Sequence, residues 1–84
     1  MKKGTGIVIW LAFEKGYGFI RPDEPGEPDI FFHRTGCLLD YEQLRNGMRV
    51  RYLILHSDKG KHAGKTQAIR VELEDSSSGG MVVV

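Results

Sequence analysis

Short apolar runs alternate along this chain with breaks rich in glycine, proline and charge. The runs have strand length rather than helix length, and turn residues punctuate them at short intervals. Residues 7–13 predict a first strand with Trp10 at its middle. That run is apolar on both faces, so parity alone does not say which side is buried. Glu14-Lys15-Gly16 predicts a turn, residues 17–21 a second strand and residues 29–33 a third. A fourth strand over 48–55 sets Val50, Tyr52 and Ile54 against Arg49, Arg51 and Leu53. A fifth over 65–73 places Ile69, Val71 and Leu73 on one face. The long connection over 34–46 carries Leu38, Leu39, Tyr41 and Leu44, which predict a short helical turn plugging one end of the sheet. Five short strands in a chain this small predict an all-β fold, a five-stranded antiparallel OB-fold barrel, because closure removes most exposed sheet edges.

The second and third strands carry an unusual pattern. Tyr17 and Phe19 share one face, opposite Gly18 and Ile20, while Phe31 and His33 stand opposite Ile30 and Phe32. If the aliphatic set is the core, three aromatic rings and an imidazole point at solvent, and Phe32 points inward. Exposed rings in a cluster imply a partner that stacks on them, and every unpaired nucleobase offers a π-face.

Composition narrows the alternatives. Eighty-four residues make one small domain, predicted over 1–74, followed by a tail over 75–84 that opens with a Ser/Gly-rich stretch of linker composition and ends in Met81-Val82-Val83-Val84. The sequence has no signal-peptide pattern and no apolar run long enough to span a bilayer, so a soluble, cytoplasmic protein is expected. A monomer is expected, with exchange of a strand or of the apolar tail as a route to a dimer. Cys37 stands alone, which excludes a disulfide framework and a cysteine-based zinc site. His33, His56 and His62 lack the close paired spacing of metal ligands, so no metal and no cofactor are expected. No nucleophile–base pairing and no carboxylate pair stand out, which argues against catalysis.

The net charge of +1 does not by itself announce a polyanion partner, but its distribution is uneven. Residues 22–29 hold four acids and all three prolines, and setting that loop aside leaves a basic remainder. The loop is either an ordinary solvated turn or an acidic rim that orients a bound strand away from one edge.

Gly6-Ile7-Val8-Ile9-Trp10, Lys15-Gly16-Tyr17-Gly18-Phe19-Ile20 and Asp29-Ile30-Phe31-Phe32-His33 resemble the cold-shock domain family, in order and at its spacing. The resemblance runs from about Gly4 to Leu73, and Asn46-Gly47 and Gln67-Ala68 also fit it. An RRM is rejected because Pro22 stands where its first motif needs an aromatic, and no helix fits between the two aromatic motifs. The resemblance implies an OB barrel that binds single-stranded RNA or DNA without hydrolysing it, as a chaperone or regulator. Position by position, it selects Trp10, Tyr17, Phe19, Phe31 and His33 as the stacking platform, Lys15 as a phosphate contact and Tyr41 as a loop aromatic that reaches the ligand. Trp10 covering the barrel wall and Tyr41 plugging a barrel end are the competing structural readings.

Departures from the family pattern stand beside these matches. Ile9 replaces the usual lysine before the tryptophan, Leu11 and Ala12 replace phenylalanine and asparagine, and Arg34 replaces the phenylalanine after the histidine. Arg34 compensates in part, since guanidinium both stacks on bases and pairs with phosphate. Lys59, Lys61 and Lys65 in and beside the 56–64 hairpin loop offer a second source of positive charge. The alternative is a protein–protein adaptor that kept the barrel while its platform drifted.

Overall fold

The computed structural model describes residues 2–57 and 65–74. Lys59, Lys61 and the rest of 58–64, and the 75–84 tail, lie outside the described residues. Five strands form, β1 (Lys2–Ala12), β2 (Tyr17–Pro22), β3 (Ile30–His33), β4 (Arg49–Ser57) and β5 (Lys65–Leu73). Single 3-10 turns occupy Arg34–Gly36 and Tyr41–Gln43 in the long connection. The strands close into a barrel in the order β1-β2-β3-β5-β4.

The barrel is not antiparallel throughout. β3 pairs with β5 in parallel, with Phe31 opposite Gln67 and Phe32 opposite Ala68, while the other neighbours are antiparallel. The reason is topological. A closed ring of five strands cannot alternate direction all the way round, so one neighbouring pair must run parallel. Here the β3–β4 connection crosses the barrel end, β4 pairs with β1, and the β4–β5 hairpin returns β5 alongside β3.

On β2, β3 and β4 the inward-facing residues are those the alternation selects, with Ile20, Ile30, Phe32, Val50 and Tyr52 buried; Val8, Ala68 and Val71 complete the inner wall. Phe32 is fully buried, as the parity of β3 requires. Leu44 and Tyr41 close one end of this core. Leu38, expected beside them, is instead 58% exposed, so the plug is smaller than the run of leucines predicts.

Two bulges shift the alternation. On β1, Val8 faces Ile20 but Trp10 faces Phe19, so Ile9 is an extra residue. Strict alternation would put Trp10 on the core face with Val8. The bulge reverses the parity and turns the indole outward. On β5, the register passes from Glu72 opposite Arg51 to Ile69 opposite Leu53, three residues against two. Arg70 absorbs the irregularity with φ of 53°. Ile69 therefore does not share a face with Val71, contrary to simple alternation; Ala68 and Val71 point inward and Ile69 points out.

Gly18 lets the first two strands approach. A Cβ there would stand 2.5 Å from the Trp10 carbonyl oxygen and 2.9 Å from the Phe32 ring. The missing side chain seats Phe32 under the sheet, and β2 then carries its rings on the other face.

Candidate nucleic-acid interface

Register assembles the platform in rows. Trp10, Phe19 and Phe31 stand opposite one another across β1, β2 and β3, and Tyr17 stands opposite His33 in the next outward row. Ring centroids lie 5.6 Å apart for Trp10–Tyr17, 5.9 Å for Trp10–Phe19, 5.5 Å for Tyr17–Phe31 and 5.9 Å for Phe19–Phe31. Three of these pairs are tilted and Phe19–Phe31 is edge-on, all at spacings at which rings support one another. Trp10 remains 46% exposed, and Tyr17, Phe19, Phe31 and His33 are half-buried. The four rings thus form one continuous apolar surface whose outer side is open.

His33 presents a defined hydrogen-bonding edge. The Thr35 backbone N–H donates to His33 Nδ1 at 3.2 Å, and the Thr35 hydroxyl lies 2.9 Å from the same nitrogen. A backbone N–H can only donate, so Nδ1 is an acceptor and the neutral ring carries its proton on Nε2. That N–H is available to a base.

Cations collect at one end of the platform. Gly16 takes φ of 77°, and the tight turn it forms returns the N–H groups of Lys15 and Gly16 to the Ala12 carbonyl at 3.0 and 2.8 Å. The Arg34 N–H donates to the Gly16 carbonyl at 2.8 Å, and the Arg34 stem passes directly over Gly16. Lys15 and Arg34 are therefore neighbours in space, and neither has a carboxylate partner among the described residues.

The acidic loop leaves from the opposite end of β2, and half of its acids are occupied. Asp23 accepts from Arg49 and from the Thr5 hydroxyl, and Asp29 lies 3.7 Å from Arg21. The Arg49 guanidinium, helped by Thr5, holds the Asp23 carboxyl below its ordinary value. Glu24 and Glu27 have no such partner among the described residues. The platform thus has a basic end and an acidic end.

Tyr41 does not reach this surface. It is 7% exposed, and its hydroxyl donates to the Tyr17 carbonyl at 2.7 Å, from beneath the sheet. Burial also pushes its phenol pKa up. Its role is to plug the barrel end and fix the backbone that carries Tyr17. Phe13 is the exposed ring that the sequence reading passed over. Just past the end of β1, it is 47% exposed and packs edge-on against Tyr41 at 5.4 Å. Its signal was its place beside Glu14-Lys15-Gly16, in a turn that offers no core position.

No group of three His, Cys, Asp or Glu side chains that could hold a metal occurs among the described residues. No helix among them is long and apolar enough to cross a membrane. A depression of about 610 Å³ lies on the other side of the barrel around Arg51, Glu72 and Glu74. Arg51, one of its three cations beside Lys3 and Arg70, is paired with both carboxylates, and the depression contains no ring cluster, so the chemistry favours the β1–β3 face.

A sheet face of clustered open rings with cations at one end defines a single-strand-binding type of barrel. The family model for the 'cold-shock' DNA-binding domain matches residues 4–69, and the chain belongs to the cold-shock domain family, a nucleic-acid-binding family. It is 46% identical to the cold shock-like protein CspD of Haemophilus influenzae over 61 residues, covering 71% of this chain and 83% of that protein. It is 40% identical to CspD of Escherichia coli K12 over 73 residues, covering 86% and 95%. Among solved structures, drosophila Unr CSD456 matches with a TM-score of 0.69 at 25% identity, over 87% of this chain and 27% of that much longer one.

Proposed function

We propose that this domain binds unpaired RNA or DNA with little sequence preference and acts in the cytoplasm as a nucleic-acid chaperone or regulator of transcription or translation. Trp10, Tyr17, Phe19 and Phe31 are the stacking surfaces, His33 supplies an edge donor, and Lys15 and Arg34 meet phosphate. The observation that carries this reading is the cluster of four outward rings at 5.5–5.9 Å beside an inward, fully buried Phe32. Leaving such a surface in water costs hydrophobic free energy, and stacking a base recovers roughly 1–3 kcal/mol per ring. A duplex hides its base faces, so the platform selects single strands. By binding only the unpaired form, it shifts pairing equilibria toward that form through mass action, with no chemical step.

The adaptor reading has no support in this geometry. Loss of the family's lysine at Ile9 and its rings at Leu11 and Arg34 has not dismantled the platform. Titrating Trp10 fluorescence with short oligopyrimidines tests the proposal. Saturable quenching at micromolar concentration or tighter is expected; an unchanged signal would return weight to a protein partner.

A further inference from the structure

The platform continues around the β1–β2 turn into a depression of about 400 Å³, bounded by Trp10 and Tyr17 on one side and by Phe13, Glu14 and Lys15 on the other. Phe13 enters it as a rigid wall. Tyr41 braces the ring edge-on at 5.4 Å, and the Arg45 guanidinium stands 5.9 Å from the ring centroid. Arg45 is itself fixed, because its Nη1 donates to the Leu44 carbonyl at 2.7 Å and to the Glu42 carbonyl at 2.9 Å. Its Nε and Nη2 have no partner among the described residues.

From this arrangement we infer that the depression is a further base subsite, in which one unpaired nucleotide at the end of a bound strand stacks on Phe13 while Lys15 and Arg45 flank its phosphates. The inference rests on the proposed single-strand binding and extends it by a nucleotide beyond the β1–β3 rings. Three features support a nucleotide rather than another occupant. The depression shares Trp10 and Tyr17 with the platform, so a strand leaving the rings past Tyr17 enters it without a detour. The Arg45 guanidinium stands 5.9 Å from the Phe13 ring centroid and Lys15 lines the depression, so positive charge is at hand for the phosphates of a stacked nucleotide. Glu14, the one carboxylate lining it, is a poor neighbour for bare phosphate but a suitable acceptor for a base amino group. Phe13 in this way replaces, from another direction, stacking surface that Leu11 and Arg34 do not supply.

A length series distinguishes this subsite from the platform. Affinities of wild type, Phe13→Ser and Phe13→Tyr are measured for oligothymidylates and oligocytidylates of increasing length. For wild type, affinity is expected to rise roughly tenfold at the length that first fills the depression, one stacked base. In Phe13→Ser that step disappears while the shortest binding oligomers keep their affinity, and Phe13→Tyr restores it. The step is expected to be larger for cytidylates than for thymidylates, because the cytosine amino group donates a hydrogen bond to Glu14. Equal affinities of Phe13→Ser and wild type at every length would overturn the subsite and leave the platform standing. A uniform loss at all lengths, with a lowered unfolding temperature, would also overturn it by making Phe13 a brace for Tyr41. Failure of wild type to bind any oligomer would instead overturn the single-strand reading itself.

Discussion

The outer face of β1–β3 and the outer face of β4–β5 both carry arginine or lysine, yet the cations beside the rings and the arginines of β4 use positive charge in opposite ways. On β4, Arg49 is bonded to Asp23, and Arg51 is bonded to Glu72 at 3.0 Å and lies 4.0 Å from Glu74. These cations hold the barrel's own loops and strands together. At the Gly16 turn, Lys15 and Arg34 have no such partner among the described residues and border four clustered rings. Counting basic residues says little about where a polyanion binds. Which cations are already occupied, and which lie beside stacking surface, decides it.

The comparison breaks first, and most visibly, at two phenylalanines that the neighbouring strands β3 and β2 place on opposite faces of the sheet. Phe32→Ala removes a fully buried ring and is expected to cost about 3–5 kcal/mol of stability, enough to unfold so small a barrel. Phe19→Ala is expected to leave stability nearly intact and to weaken oligonucleotide binding by roughly 1–3 kcal/mol. Chemical denaturation and fluorescence titration of the two variants check this. Equal destabilisation would place the binding face wrongly.

Salt sharpens the electrostatic side. Three phosphate contacts, from Lys15, Arg34 and Arg45, at about −0.7 each give a log–log slope near roughly −2 for a single strand. Lys15→Ala should flatten it by about 0.7, and Arg51→Ala should leave it unchanged. Isothermal titration across a salt series reads both slopes. Arg34→Phe is a subtler probe, since it exchanges a cation for a ring. Its affinity should match or exceed wild type at high salt and fall below or equal it at low salt, so the two titrations cross. Unchanged binding at both extremes would put position 34 outside the interface.

The smallest expected effect is on pH stability. Asp23 has a lowered pKa in the folded state, so its ion pair stabilises the barrel above the carboxyl's ordinary value of 3.8. That contribution is lost as pH falls below 3.8 and through the depressed value. Thermal unfolding of wild type and Asp23→Asn should therefore differ slightly near neutral pH and converge in acid.

Much of this was legible in the residue order, and the rest was not, for physical reasons. Alternation in β2 and β3 sorted Tyr17, Phe19, Phe31 and His33 from Ile20 and Phe32, because those strands are regular and half-buried. The outward turn of Trp10 was hidden from alternation and reached only through the family resemblance, since it depends on a bulge at Ile9 where β1 pairs with β2. The bulge at Arg70 misled the assignment of Ile69 for the same reason. Tyr41 was ambiguous because a loop tyrosine can face either way. Its burial is decided by a hydrogen bond to Tyr17, 24 residues earlier. The parallel β3–β5 pair follows from counting strands in a closed ring, which no local pattern contains.

Mapping backbone amide NMR shifts during titration with an oligothymidylate tests the contrast between the two faces most directly. The largest changes are expected at Trp10, Lys15, Tyr17, Phe19, Phe31, His33 and Arg34, with Arg49, Arg51, Leu53 and Glu72 nearly unmoved. Shifts centred on Arg49, Arg51 and Glu72, with the β1–β3 rings unaffected, would contradict it.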